Sequence, residues 1–474
     1  MEEIKTVSGE TRTADTLPQK KSESSAAMAA MRGLFSASFV ELGAYRGYRD
    51  GSGRHILSNT LTGYGAVADT LVYAFAQDGE DNDGAITAVS AEKIVALINR
   101  SCDENAPLVG FFNSCGARLE DGVSALAGYG KIMRAVAAKG GHGPRIAVIC
   151  GSCTGGLAVI AEMFDVVIAT EDSDFYVNPP YIARDALEED GIPAPELGTA
   201  HAAALRGEVA MLCPSLDNAI AEVIRLLGFI SYPAGETNDD YNRSTARVAD
   251  IMKDPAYDAH GVIAEICDDG EYFESKPGYA SELLTVIGRI CGDTVAIVAS
   301  NPGHHDGYLS ERAAGKAYAF VALAASLDIP VVTLVDTAGF DTTSYTEIER
   351  ASTRMARLAT TYAESNNTHV TVITGRAYGT ASVLLGSRAI GSDICLALEG
   401  ADISIITPET AVQFMYGDEI DSAADPREAR SARIAEWKEM HGGTGEAAME
   451  GEIDDIIAPA ELRARIAAAV KEFR

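Results

Sequence analysis

The feature that most constrains this chain is that it resembles itself. Ala106–Gly116 (APLVGFFNSCG) reads as a buried apolar strand ending in a glycine turn, and Ile329–Gly339 (IPVVTLVDTAG) repeats it, with Pro107 and Pro330 223 positions apart (330 − 107). Upstream of each strand lies a helical pattern containing a lysine, and Lys93 and Lys316 keep the same offset (316 − 93). Downstream, Arg145–Gly156 (RIAVICGSCTGG) matches His369–Thr380 (HVTVITGRAYGT), setting Gly151 opposite Gly375 and Gly155 opposite Gly379, both 224 apart (375 − 151, 379 − 155). Three matches at one spacing indicate a duplicated unit, which fixes the architecture before any motif is named.

Each half orders strand, helix, strand, long helix, strand, turn and helix. The strands are short apolar runs, as in a mostly parallel sheet buried on both faces, and helices are expected to cover those faces. The predicted fold class is therefore α/β, with two domains in tandem. The polar stretch Ala234–Thr245 carries turn formers and no apolar period, so it is the expected linker. This gives a flexible tail over residues 1–32, a first domain over 33–240 and a second over 250–474.

With 69 acidic against 38 basic residues the formal charge is −31, which argues against nucleic acid or an anionic membrane surface as a general partner. No run reaches the roughly 20 apolar residues of a spanning helix. Eight cysteines lie scattered without the dense spacing of a secreted disulfide framework, so a reduced, cytoplasmic protein is expected. Cys150 and Cys153 form a lone CxxC lacking a second pair, which reads as small residues packed in a turn, and no metal site is expected. His304 and His305 are adjacent in a polar loop and point apart. The sequence contains no phosphate-binding G-x-x-x-x-G-K-[ST] loop, no H-E-x-x-H and no G-x-S-x-G elbow.

What it does contain, twice, is an apolar strand running into a glycine turn and then an Ala- and Leu-rich helix, at Gly151–Ala161 and Gly375–Leu385. Such a junction aims unpaired backbone N–H groups at one spot, with the positive end of the helix dipole behind them. That is an oxyanion hole, and small residues let a thioester carbonyl approach the backbone.

These residues resemble a known family. Ser114–Val123 (SCGARLEDGV) followed by Leu126–Tyr129 (LAGY) is similar to the S-G-G-A-R-I-Q-E-G-V and L-A-G-Y run of the β-subunits of biotin-dependent acyl-CoA carboxylases. Gly151–Gly156 (GSCTGG) resembles the family's G-P-C-A-G-G, Leu334–Phe340 (LVDTAGF) its L-V-D-V-P-G-F, and Arg376–Ala381 (RAYGTA) its K-A-Y-G-G-A. Gly451–Pro459 (GEIDDIIAP) resembles its G-x-V-D-x-V-I-x-P segment, so the likeness runs in order from about Ser38 to the C-terminus.

The resemblance implies two tandem crotonase-like domains and a carboxyltransferase that moves a carboxyl group between biotin, on a separate carrier protein, and the α-carbon of a short acyl-CoA. It implies a ring-shaped hexamer in which the N-terminal domain of one subunit binds the coenzyme A thioester and the C-terminal domain of another binds the biotin. Catalytic N–H groups are expected from Gly155 and Gly156 on the acyl side and from Thr380 and Ala381 on the biotin side. Cys115, Gly116, Ala117, Arg118, Gly379 and Val383 are expected to bind substrate, and the branched Val383 implies a small acyl group. Partners would be the biotin carrier and either a biotin carboxylase or membrane decarboxylase subunits. Some positions depart from the family: Thr380 replaces a glycine, Ser382 a tyrosine and Ala338 a proline, while Ile406–Ala411 (ITPETA) is closer to the G-P-E-G-A of decarboxylase subunits. The α-subunit of a sodium-pump type decarboxylase is thus the second reading, and a non-catalytic hexamer-forming partner the third.

Overall fold

The repeat extends well beyond the motifs that reveal it. The computed structural model describes residues 25–49, 53–67, 69–138, 143–179, 197–230, 237, 239–343 and 348–473. In the first half β4 (Thr60–Val67), β5 (Thr70–Gln77), α2 (Ala88–Asp103) and β6 (Leu108–Ser114) follow one another. In the second, β12 (Leu283–Ile290), β13 (Asp293–Ser300), the helix Glu311–Ser326 and β14 (Val331–Thr337) occupy the same positions plus 223 (for example 283 − 60), residue for residue. β7 (Arg145–Thr154) and β15 (His369–Tyr378) correspond at 224 (369 − 145).

Both sheets have eight strands and one topology. The first is ordered β1 (Val40–Glu41), β4, β5, β6, β7, β8 (Val166–Thr170), β10 (Met211–Cys213), with β9 (Asp174–Tyr176) branching from β7. The second runs β11 (Tyr272–Glu274), β12, β13, β14, β15, β16 (Ile394–Leu398), β18 (Asp455–Ile457), with β17 (Asp402–Ser404) branching from β15. The first three strands in each sheet order pair antiparallel and the remaining pairs are parallel, as the unbroken apolar runs require. The helix after each hairpin, α2 and Glu311–Ser326, starts on a hydroxyl cap: Thr87 Oγ1 accepts the Ser90 N–H at 3.1 Å, and Ser310 Oγ accepts the Ala313 N–H at 3.0 Å. The two lysines that mark the repeat are buried, Lys93 donating to the Thr60 carbonyl and Lys316 to those of Lys276, Tyr279 and Leu283. Burial pulls the Lys316 ammonium down to about 8.

The expected tail is corrected at its inner end. Ser25 caps α1 (Ala26–Phe35), whose Ala27, Met28, Ala30, Met31, Leu34 and Phe35 are buried, because apolar residues fall at helical spacing through AAMAAMRGLF. The helix Leu216–Ile230 packs beside α1 and reaches into the second half: Arg225 Nη1 donates to the Tyr272 carbonyl at 2.5 Å, and the Arg289 Nη2 and Thr294 Oγ1 donate to Gly228 and Phe229. One apolar core therefore continues from Met31 and Leu227 to Phe273, Leu283 and Val298. Of the expected linker, residues 234–236 and 238 lie outside the described residues. Its C-terminal part is tied down, Arg243 donating to Asp239 and to the carbonyls of Glu265 and Cys267.

Candidate active site

The two glycine turns predicted from the repeat have the same geometry. β7 leads through Gly155 (φ 62°) into α4 (Gly156–Glu162), and β15 leads into the helix Gly379–Leu384 through Gly379 (φ 65°). A positive φ in both places is what glycine provides without strain. The structural equivalents are thus Gly155 with Gly379, Gly156 with Thr380 and Leu157 with Ala381. Gly155 already donates its N–H to the Tyr176 carbonyl at 3.1 Å, extending the β7–β9 ladder. Its φ sets the turn, and its N–H is engaged within the chain. Gly156 and Leu157 begin a helix, so their N–H groups lack a partner four residues back within it.

A second strand supplies the facing wall. After β6 the N–H groups of Cys115, Gly116 and Arg118 are taken by the Asp83 carbonyl, Ser114 Oγ and the Ile86 carbonyl, and Gly116 returns its carbonyl to the Ile86 N–H at 2.8 Å. Ala117 is left as the residue in this run whose N–H has no partner among the described residues. The second half repeats the knot: Gly339 bonds Thr337 Oγ1, Leu309 donates to the Gly339 carbonyl, Asp341 donates to the Leu309 carbonyl, and Phe340 takes the place of Ala117. Sequence reasoning missed Phe340 as a counterpart, although the offset points to it (340 − 117).

Tyr129, on α3 (Val123–Ala137), binds the two walls of the first half together. A methyl on Gly116 would come within 3.8 Å of its hydroxyl, and one on Gly156 within 3.3 Å of its ring. Burial pushes its phenol up to about 12, so it stays neutral and serves as packing with a polar tip. Arg118 lies over the Tyr48 ring at 4.5 Å and within 3.7 Å of Asp121, leaving a partly exposed cation at the rim. The CxxC cysteines sit below the turn. Burial raises the Cys150 thiol to about 12 and Cys153 well above its ordinary value, so neither is a thiolate near neutrality.

Behind each turn the backbone approaches a side chain closely. A Cβ on Gly151 would lie 2.2 Å from Asn113 Oδ1, and one on Gly375 2.2 Å from Asp336 Oδ2, so both glycines are required by space. In the second half Arg376 joins Asp336 at 2.8 Å to Asp306 at 2.7 Å, linking the turn to the loop before the helix Glu311–Ser326. Ser152 occupies the corresponding place in the first half, which therefore lacks this charge. Val383 is 38% exposed, with Thr380 beside the same face and Ala381 fully buried.

Comparison with known proteins agrees with this architecture. The family model of the carboxyl transferase domain matches residues 22–472. The methylmalonyl-CoA carboxyltransferase 12S subunit of Propionibacterium freudenreichii subsp. shermanii is 31% identical over 92% of this chain and 86% of its own length. The methylmalonyl-CoA decarboxylase subunit alpha of Propionigenium modestum is 31% identical over 86% of this chain and 81% of its own. A crystal structure of the transcarboxylase 12S hexamer, with methylmalonyl-coenzyme A and methylmalonic acid bound, superposes with a TM-score of 0.88 at 31% identity, covering 94% of this chain and 89% of that one. The two sheets are tandem crotonase-like domains, and the chain belongs to the carboxyl transferase family.

Proposed function

We propose that this protein is an acyl-CoA carboxyltransferase, moving a carboxyl group between biotin on a separate carrier protein and the α-carbon of an acyl-CoA. The observation that carries the reading is the repeated pair of facing N–H walls, Ala117 with Gly156 in one half and Phe340 with Thr380 in the other. The donor and the acceptor of the carboxyl group each develop negative charge on a carbonyl oxygen and call for two such holes.

On the acyl side, the N–H groups of Ala117 and Gly156 hold the thioester oxygen, with Cys115, Gly116 and Arg118 forming the rim. Hydrogen bonds aimed at that oxygen strengthen as charge develops on it, and this lowers the cost of making the α-carbon nucleophilic. Thr380 and Ala381, with Phe340 on the facing wall and Gly379 setting the turn, provide the hole for the biotin side. Gly379 takes a left-handed φ of 65°, and a methyl there would crowd the Ile405 carbonyl at 3.3 Å, so glycine keeps the backbone of the turn close to the site. When bound, biotin supplies or accepts the carboxyl group. The chain's own contribution is positioning and preorganised dipoles, for which an effective molarity of about 10⁵ M or more is attainable.

The acyl-side half belongs to one subunit and the biotin-side half to another in a hexamer like that of the 12S relative, in the cytoplasm. Operation as a decarboxylase subunit uses the same site in the opposite direction, and the similarity to the Propionigenium modestum subunit supports that variant. The test is turnover of methylmalonyl-CoA or malonyl-CoA by the purified protein with free biotin as acceptor. Biotin-dependent loss of the carboxyl group is expected. An equal rate without biotin would overturn the mechanism.

A further inference from the structure

The second turn is fastened to its surroundings by a pair that the first turn lacks. Tyr378, the last residue of β15, stands directly before Gly379 and is buried. Its Oη donates to Asp402 Oδ2 at 2.5 Å, and Asp402 Oδ1 accepts the Gly443 N–H at 2.9 Å. Asp402 opens β17, the short strand beside the end of β15, in which Ser404 pairs with Tyr378. Gly443 lies between the helices Pro426–His441 and Gly445–Glu450, and the Ile403 N–H donates to its carbonyl at 3.4 Å. Trp437 and His441 of the first helix and Ala447 of the second form, with Gly379 and Thr380, part of the wall of a cavity of about 700 Å³ beside the turn. One carboxylate therefore bonds the residue that leads into the turn and also the loop that carries the facing wall.

The first half has the same strands without this clamp. Ser152 pairs with Asp174 as Arg376 does with Asp402, so Asp174 is the counterpart of Asp402 and Thr154 that of Tyr378. The threonine hydroxyl sits on Cβ, a ring's length short of a phenol oxygen, and Asp174 is exposed. We infer that Tyr378 and Asp402 are positioning residues of the biotin-side half-site, holding the Thr380 N–H and the Trp437–His441 wall in one geometry. The inference rests on the carboxyltransferase reading and deepens it. Burial, and after it the hydrogen bond to Asp402, raises the phenol above its ordinary value, so it remains a donor near neutrality. Fixing an N–H before charge develops avoids the cost of moving it during the reaction, and a displacement of about 1 Å at such a group lowers rates about 10²-fold.

The test separates the two half-sites. In biotin-dependent decarboxylation of malonyl-CoA or methylmalonyl-CoA, Tyr378→Phe should raise the KM for free biotin about tenfold, the scale of one hydrogen bond to a charged acceptor, while the KM for the ester stays within about twofold. Asp402→Ala should do the same, and Asp402→Asn, which keeps one carbonyl oxygen, should recover part of that loss. Tyr378→Phe combined with Asp402→Ala should cost less than the product of the two single effects, because both remove one interaction. Hydrogen exchange of the folded protein should quicken at residues 379–385 and 442–447 in Tyr378→Phe and stay as in the parent at 155–162. An unchanged KM for biotin, or an equal rise in both KM values, would overturn the positioning role and leave the carboxyltransferase reading intact. If the parent turned over neither ester with biotin, that reading would fall and exchange would decide: faster exchange confined to the two segments upholds the clamp, and parent-like exchange overturns it. Asp402→Asn carries the same comparisons if Tyr378→Phe does not fold.

Discussion

Asp336, 5% exposed at the end of β14, accepts both the backbone N–H of Arg376 at 3.1 Å and its Nε at 2.8 Å. One carboxylate thus fixes the strand that enters the second turn and the guanidinium that ties it to Asp306. In the first half the same position holds Asn113, whose amide packs against Gly79 and Gly151. Removing Asp336 deprives the Arg376 backbone N–H and guanidinium of an acceptor while Asp306 still pairs the cation, a loss of about 1–3 kcal/mol. Asp336→Ala should lose stability on that scale in urea unfolding. Asp336→Asn, which restores the first half's residue, should lose less. An Asp336→Asn variant as stable as the parent would show that the pair adds nothing beyond packing.

Gly156 has an ordinary φ, so a side chain there is tolerated by the backbone and obstructs the space in front of its N–H. Gly156→Val should cut turnover roughly 10²-fold, the scale for losing one oxyanion donor. Its branches press on the Tyr129 ring, and the stability cost of such overpacking is about 1–3 kcal/mol. Because two effects are expected, turnover is to be compared under conditions where melting curves show the variant folded. Wild-type activity in that folded variant would remove Gly156 from the site.

The duplication was legible because both copies keep glycine where space or a positive φ demands it, at Gly151 with Gly375 and at Gly155 with Gly379. The commitment of the Gly155 N–H to Tyr176 was not, since β9 lies about 20 residues downstream and pairs by tertiary contact. Ala117 and Phe340 share no side-chain chemistry, so only the numerical offset connects them. The tail boundary was misplaced because α1 is short and alanine-rich, and its burial depends on the distant helix Leu216–Ile230. Nothing local announced the cavity beside the second turn, because part of its wall comes from Trp437 and His441 of the helix Pro426–His441 and Ala447 of the helix Gly445–Glu450.

Arg463 is completely buried near the C-terminus. Its guanidinium bonds Asp268 at 2.6 Å and the Asp240 carbonyl at 2.6 Å and lies 3.3 Å from Asp239, while Asp268 also accepts the N–H groups of Cys291 and Gly292. The final helix, the segment after the first half and the start of the second sheet therefore share one cation. Arg463→Met should destabilise the protein by about 3–5 kcal/mol, because the buried Asp268 loses its counter-charge, while Asp239 keeps Arg243. Adding Asp268→Asn should recover part of that loss. A double variant no more stable than Arg463→Met would contradict the electrostatic account.

Two histidines set opposite limits on stability with pH. His260 lies between Glu274 at 3.0 Å and Asp258 at 2.5 Å, and these hydrogen bonds, Glu274's first, raise its imidazole from the ordinary 6.5 to about 9. The folded state binds that proton more tightly than the unfolded one, so its contribution is complete below about 6.5 and disappears as pH rises through about 9. His369, 3% exposed and without a hydrogen-bond partner for either ring nitrogen among the described residues, is shifted the other way: burial disfavours its charged form, and the nearby Asp393 offsets this only in part. Its folded pKa lies below 6.5, so it contributes stability above that pH and loses it as pH falls further. Melting temperature plotted against pH should show both limbs. His260→Gln should flatten the alkaline limb between about 6.5 and 9, while His369→Phe should flatten the acid limb and leave the alkaline one in place. If His260→Gln left the alkaline limb as steep as in the parent, the two-carboxylate clamp would not be holding a proton there.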